Sequence, residues 1–462
     1  MCLAAAGGKE CVVMMNKKII NQKFYKYVIP SMITMLLSGF YSIIDGLFVA
    51  NAVNDSALAA INIAYPIQVI LNATAIGIGI GGAVSYSYYN GQNKIKQMHK
   101  TIGSTCSLLL ISGIILPIIL NYFVNDLLVF LGAKGNIYTG AYEYIHIILI
   151  GGILPIIGNG INPLLRNQGK TIYATISMSS GLIVNIILDY LFVYKMQLGL
   201  HGAALATIIA QGVVAFSGTI MLIYFKLKEL SLIDYIPNLI TIKKILTIGI
   251  SPFGQTLIPC IITVITNWMC IRYGGDNALT IFSIISYVLS SIQLFLQGVG
   301  DGIQPLLSYY HGCKQPQLIK YIYKKAITLS LAISTTLTIL VIIFPNILTS
   351  LFNVDNIIYN ECRNALIITA LSFPFIGNNR LSCALFYATE RTLFSSIIVY
   401  LEPCVIIPGC LIYFSNIFKL TGIWLAYPIA QVILTIIALY FIYFILLKAK
   451  NINVTVDTEY SI

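Results

Sequence analysis

Five ionisable side chains sit deep inside long apolar runs: Asp45, Asp189, Asp301, Arg380 and Glu402. A charge at the centre of a bilayer-length helix costs at least about 2.5–3.5 kcal/mol on insertion scales, so each needs a partner or a task. Asn185 precedes Asp189 by four residues and shares its helical face one turn away. With Thr207 of the next run, Asp45, Asn185 and Asp189 offer two carboxylates, an amide oxygen and a hydroxyl. Two uses fit this set. Hard oxygens with no directional demand could hold a sodium ion. Alternatively, two carboxylates held close in a low dielectric could share one proton. A third possibility is that the acids only tie helices together, although structural pairing seldom uses two acids without a base.

Asp301, Arg380 and Glu402 form a second set. Each lies about 15 Å along its run from the nearest basic loop. Arg380 and Glu402 flank a short loop, so an ion pair is expected, which Asp301 either joins or leaves. This set reads as a structural cluster of net −1, or as a second proton or cationic-substrate site tuned by the arginine.

The elements that carry these residues follow from composition. Of 462 residues, 58% are hydrophobic and 9% charged, against about 25% charged in soluble chains. So few charges cannot cover a globular surface, and most of the chain must face lipid. A cytosolic enzyme, a secreted disulfide scaffold, a disordered protein and a nucleic-acid module are excluded on this ground. The ten cysteines form no CxxC pair, and the four histidines build no cluster. A membrane-crossing helix needs about 20 apolar residues. Twelve such runs occur, at 27–50, 58–86, 101–124, 140–163, 172–194, 200–225, 245–271, 279–309, 326–350, 362–388, 392–415 and 421–447. The fold class is an all-α polytopic membrane protein.

Charge placement orients these runs. With the N-terminus inside, the inner segments carry 21 Lys and Arg residues and the outer loops five, with Arg380 within a span. This positive-inside bias predicts cytoplasmic termini and accounts for the net charge of +11 without nucleic acid.

The halves repeat. Pro30 matches Pro252, and Asp45 matches Asn267, both 222 residues on. Gly77-Ile-Gly-Ile-Gly81 matches Gly298-Val-Gly-Asp-Gly302, and Ser87-Tyr-Tyr-Asn-Gly91 matches Ser308-Tyr-Tyr-His-Gly312, at 221. Gly158-Asn159 matches Gly377-Asn378 at 219, and Gly202–Gln211 matches Gly422–Gln431 at 220. Six helices per half make the repeats parallel, related by a pseudo-two-fold axis along the membrane normal, as in secondary transporters. The expected organisation is an N-terminal tail 1–26, an N-lobe 27–225, a basic linker 226–244, a C-lobe 245–447 and a C-terminal tail 448–462. Met14 and Met15 precede a basic segment. Gly8-Lys9-Glu10 can be encoded as a purine-rich ribosome-binding sequence, so residues 1–13 or 1–14 are expected to be an upstream extension. No GxxxxGK[ST] is present. Gly77-x-Gly79-x-x-Gly82 falls mid-span with no βαβ context, so it is not a dinucleotide site. Gly77-xxx-Gly81 and Gly298-xxx-Gly302 are expected to let helices approach closely.

The sequence resembles the multidrug and toxic compound extrusion (MATE) family of cation-coupled exporters, from about residue 20 onward. The resemblance rests on Ile44-Asp45-Gly-Leu-Phe-Val49 with Ala57-Leu-Ala-Ala60 and Pro66, Asn185-Ile-Ile-Leu-Asp189, Gly202-Ala-Ala-Leu-Ala-Thr207, Gln304-Pro305 with Ser308-Tyr-Tyr, and Gly422-Ile-Trp-Leu-Ala426. It implies twelve helices in two six-helix lobes and drug export driven by a sodium or proton gradient. It also implies an N-lobe cation site at Asp45, Asn185, Asp189 and Thr207. The family's C-lobe sodium site, a glutamate on helix 7 and an aspartate on helix 10, has no counterpart. Helix 7 lacks an acid, and helix 10 offers Arg380.

The expected activity is alternating-access export of lipophilic, cationic compounds from a bacterial cytoplasmic membrane by a monomer. No cofactor is expected beyond the coupling proton or sodium, and no catalytic constellation is present. A flippase for a lipid-linked saccharide, from the same superfamily, is the alternative.

Overall fold

The structure is a computed structural model. It describes residues 9–52, 55–225, 230–351 and 358–458, with side chains other than those of 9–17, 40–52, 55, 56, 58, 348, 351 and 445–458. The Asp45 side chain, the first eight residues of the expected upstream extension, and the side chains of the tail 448–462 lie outside the described residues.

Among the described residues, every regular element is a helix. In the first half, α1 (Lys9–Ala52), α2 (Asp55–Gly91) and α3 (Ile95–Tyr122) are followed by the short α4 (Val124–Phe130). Then come α5 (Gly135–Ile150), α6 (Ile153–Asn167), α7 (Thr171–Asp189) with a π turn Tyr190–Lys195, and α8 (Gly199–Phe225). The second half holds α9 (Leu239–Gly312), α10 (Pro316–Ile343), α11 (Pro345–Leu351), α12 (Tyr359–Ala370), α13 (Phe373–Ala388) and α14 (Thr392–Leu401). A second π turn, Glu402–Ile406, leads into α15 (Ile407–Thr458).

Backbone breaks convert these elements into twelve crossings. The 74 residues of α9 would extend about 110 Å, far beyond a hydrocarbon layer of about 30 Å. The chain turns at Gly275 (φ 61°, ψ −149°), a conformation open to glycine and costly for other residues. Helix α15 breaks similarly at Lys419 (φ 51°, ψ −125°). α5 and α6 meet at 58° across Gly151-Gly152 and form one bent crossing. The expected span 326–350 divides because Pro345 cannot donate to the preceding turn, so α10 ends at Ile343.

The exterior is apolar where lipid would lie. Ile118, Phe216, Trp268 and Tyr440 are exposed large side chains, of a kind that soluble surfaces do not carry in bulk. Inside, Leu71, Ile145, Ile156 and Leu164 belong to an N-lobe core. Ile281, Phe373, Phe386 and Leu434 belong to a C-lobe core. A third cluster joins the halves. It combines Phe24 and Val28 of α1 and Val84 of α2 with Ile248, Val299, Ile303 and Leu307 of α9.

The repeated glycines make this junction. A side chain on Gly77 would press on Phe253 Cβ and the Gly249 carbonyl at 3.1 Å, and one on Gly302 would meet Val28 Cα at 2.5 Å. Thus α2 packs on the first part of α9, and the second part of α9 packs on α1, as pseudo-two-fold symmetry demands. The close helix approach expected from the Gly-xxx-Gly pairs is present at both places.

Candidate functional site

In the N-lobe, Asn185 and Asp189 occupy the last turn of α7, just before the π turn. Asn185 donates through Nδ2 to Asp189 Oδ2 at 2.5 Å, and both residues are buried. Thr207 is buried on α8, which packs against α7. A π turn widens a helix by one residue and often marks a functional position.

The register of α1 against α7 fixes the level of Asp45. Pro30 has no N–H for the Lys26 carbonyl, and Thr171 Oγ1 donates to that carbonyl at 3.0 Å instead. One turn on, Thr175 Oγ1 donates to the Pro30 carbonyl at 3.2 Å and lies 2.9 Å from Thr34 Oγ1. The helices therefore run parallel. Asp45 is eleven residues beyond Thr34, a rise of about 16 Å, and Asn185 is ten beyond Thr175, about 15 Å. The Asp45 backbone thus lies level with Asn185.

The second set is not brought together as expected. Asp301 pairs with Arg166, whose Nη1 lies 3.0 Å from Asp301 Oδ2. Arg166 belongs to the last turn of α6 in the N-lobe, not to a solvated loop, so this bridge crosses between the lobes. Gln297 Nε2 donates to the other oxygen, Asp301 Oδ1, at 3.0 Å. Beside the bridge, Asn167 and Gln304 exchange amide hydrogen bonds at 2.9 and 3.1 Å. Ser87 donates to Asn167 Oδ1 at 2.6 Å, and Gln304 donates to Ser308 Oγ at 3.0 Å. Gln297, Asp301, Gln304 and Ser308 recur at three- and four-residue spacing, a single face of α9 turned to the N-lobe. This latch sits at the Lys- and Arg-rich end of the bundle, near the turn that carries Lys170.

Arg380 and Glu402 stay within the C-lobe. Among the described residues no ion pair within 4.0 Å joins them, contrary to the sequence expectation. Both border the same narrow cleft between α9, α13 and α15. Arg380 Nη2 donates to Gln293 Oε1 at 3.3 Å, and Gln293 Nε2 donates to the Tyr427 hydroxyl at 2.5 Å. Glu402 Oε1 accepts from Gln431 Nε2 at 2.6 Å. Gln431 is itself held by Asn379 Nδ2, which donates to Gln431 Oε1 at 2.8 Å. The N-lobe repeats this amide contact: Asn159 Nδ2 lies 3.5 Å from Gln211 Oε1. The hydrogen bonds match Asn159 to Asn379 at an offset of 220, one residue beyond the sequence match to Asn378. In the second lobe the pair has gained a carboxylate partner.

Sequence reasoning missed Arg166, Asn167, Gln293 and Gln431. Only Gln431 carried a signal, its match to Gln211 across the repeat. Among the described residues, no group of three His, Cys, Asp or Glu side chains could hold a metal ion.

The profile of the MatE family matches residues 30–191 and 253–412, one stretch in each lobe. The chain is 25% identical over 438 residues to the multidrug export protein MepA of Staphylococcus haemolyticus, covering 94% of this chain and 96% of that protein. It is 22% identical to the probable multidrug resistance protein YoeA of Bacillus subtilis, covering 95% and 96%. Its fold matches a solved multidrug resistance MATE family transporter in an outward-facing conformation, with a TM-score of 0.84, 22% identity and coverage of 91% and 94%. With both lobes matched by the family profile, the chain belongs to the MatE family of multi-pass membrane transporters.

Proposed function

We propose that the chain exports lipophilic, cationic compounds across a bacterial cytoplasmic membrane, in exchange for protons or sodium ions. The observation that carries this reading is the buried Asp189 carboxylate, hydrogen-bonded to Asn185 on a helix that packs against α1. The multidrug export names of its relatives support the substrate class. With Asp45 level with Asn185, and Thr207 on the adjoining helix, the N-lobe supplies the oxygen set that a proton or sodium ion needs. No cofactor is required, and one chain supplies both lobes of the path.

The Lys and Arg excess supports a cytoplasmic position for the basic end and both termini. The Arg166–Asp301 latch then closes the cytoplasmic side, the state that releases cargo outward. Ion binding at the N-lobe set favours this state only in so far as the ion binds it more tightly than the other. Pro30 and its freed carbonyl supply the point where α1 can change course. Nothing in the comparisons favours the saccharide-lipid flippase.

The test is efflux of a fluorescent cationic dye from proteoliposomes, under a sodium gradient and separately under a proton gradient. Gradient-driven efflux lost in Asp189→Asn supports the reading and names the ion. No dye movement under either gradient sinks it.

A further inference from the structure

We infer that the C-lobe cleft binds amphoteric molecules, with Arg380 receiving an anionic group and Glu402 a cationic one on the same ligand. The inference rests on the export reading for its physiological use, and on the cleft alone for its chemistry.

Two opposite charges in one apolar environment ordinarily close on each other, because each is costly alone. Here each is held off by an amide. Gln293, fixed by Tyr427, takes one arm of the Arg380 fork, and Gln431, fixed by Asn379, takes one oxygen of Glu402. Among the described residues, Arg380 Nη1 and Nε and Glu402 Oε2 make no hydrogen bond. Neither residue is fully buried, and both line the cleft. An arginine fork matches a carboxylate in two-point geometry, and a carboxylate matches an ammonium. Beside the hydroxyls of Thr263, Thr266, Ser286, Ser290 and Thr369, the wall has an apolar and aromatic part that includes Phe282, Leu289 and Trp424. That is the surface an aromatic ligand body requires. A ligand with both charges leaves the cleft neutral, whereas a simple cation brings a surplus charge beside Arg380.

Trp424 supplies the readout. The chain has two tryptophans, Trp268 on the exterior and Trp424 in the cleft. In Trp268→Phe protein in nanodiscs, energy transfer from Trp424 reports three probes. These are Nε-dansyl-lysine, its methyl ester, which keeps only the ammonium, and its Nα-acetyl derivative, which keeps only the carboxylate. The expected result is that the zwitterion binds about ten-fold more tightly than either relative, the effect of one charged hydrogen bond. Arg380→Gln should reduce the zwitterion to the level of the ester, and Glu402→Gln to the level of the acetyl derivative. Arg380→Lys should keep the preference for a carboxylate. Equal binding of zwitterion and ester, a uniform loss of all three probes in both variants, or no energy transfer from any probe overturns the inference. Cationic dye efflux, measured on the same protein, separates this outcome from failure of the export reading.

Discussion

Arg166 and Asp301 lie 3.0 Å apart, yet one closes the fourth crossing of the N-lobe and the other sits mid-way along a C-lobe helix. Asp301 is 7% exposed, and its second oxygen is taken by Gln297. Such a pair is worth little as net stability, since desolvation offsets most of the attraction. Its value is conditional. It exists only while the lobes touch at the basic end, and separating them there leaves two desolvated charges in search of water.

Breaking this pair should therefore open the basic end. Arg166→Gln and Asp301→Asn should each lengthen the distance between spin labels at Lys94 and Lys314, placed in a cysteine-free background. The reversed pair Arg166→Asp with Asp301→Arg should restore the short distance. Loss of one partner of a buried pair costs about 3–5 kcal/mol, enough to change which lobe arrangement dominates. Unchanged distances in both single variants would mean that the junction is held by its apolar cluster alone.

Asp189→Asn should uncouple transport and leave folding largely intact. Asparagine preserves the shape and accepts from Asn185, but it neither titrates nor attracts a cation. Coupling free energies of about 1–3 kcal/mol correspond to effects of about 5- to 150-fold. The gradient dependence of dye efflux should fall within that range, while dye binding at equilibrium persists. Thr207→Ala should give a smaller loss in the same direction. Efflux that remains gradient-dependent in Asp189→Asn would relocate the coupling to another acid.

The twelve crossings and the repeat were legible because hydropathy and the offsets of proline and glycine need no three-dimensional knowledge. Asn185 and Asp189 were legible for the same reason, since a four-residue spacing on a helix implies contact. Arg166 was not. It precedes Lys170 in a short basic stretch and reads as loop charge, and its partner lies 135 residues away. Of the two alternatives left open for Asp301, joining Arg380 or standing apart from it, direction decides for the second. Depth along a helix sets the height of a side chain, not the way it faces. Asp301 faces the other lobe, whereas Arg380 faces the interior of its own. The π turn at Glu402 had one visible cause: Pro403 lacks the N–H that would close the ordinary turn.

The threonine ladder on α7 should carry a measurable share of the α1 contact. Thr171→Val removes the donor that replaces the missing Pro30 N–H at the Lys26 carbonyl. Side-chain hydrogen bonds between membrane helices average about 0.6 kcal/mol, and a carbonyl left without any donor costs about 1–3 kcal/mol. Thermal unfolding in detergent should show a loss between these values for Thr171→Val. Thr175→Val should cost less, because the Pro30 carbonyl also has Thr34 Oγ1 at 2.8 Å. Equal losses would indicate that the proline-freed carbonyl has no special demand.

Gly302 offers the sharpest test of lobe closure, because backbone leaves no room to adjust. A Cβ there would lie 2.5 Å from Val28 Cα and 3.0 Å from Val28 Cγ2, across the junction of α9 and α1. Gly302→Ala must therefore separate the helices, and Gly302→Val more so, at about 1–3 kcal/mol for overpacking. That strain is felt only when the basic end is closed, so it should populate the open arrangement. The expected readout is a longer Lys94–Lys314 label distance together with reduced efflux. Gly409→Ala is the matched control. Its Cβ would meet nothing within 4 Å, and helix propensity alone makes it neutral or stabilising by up to about 1 kcal/mol. If Gly302→Ala proves as silent as Gly409→Ala, the close approach of α1 and α9 is not required for transport.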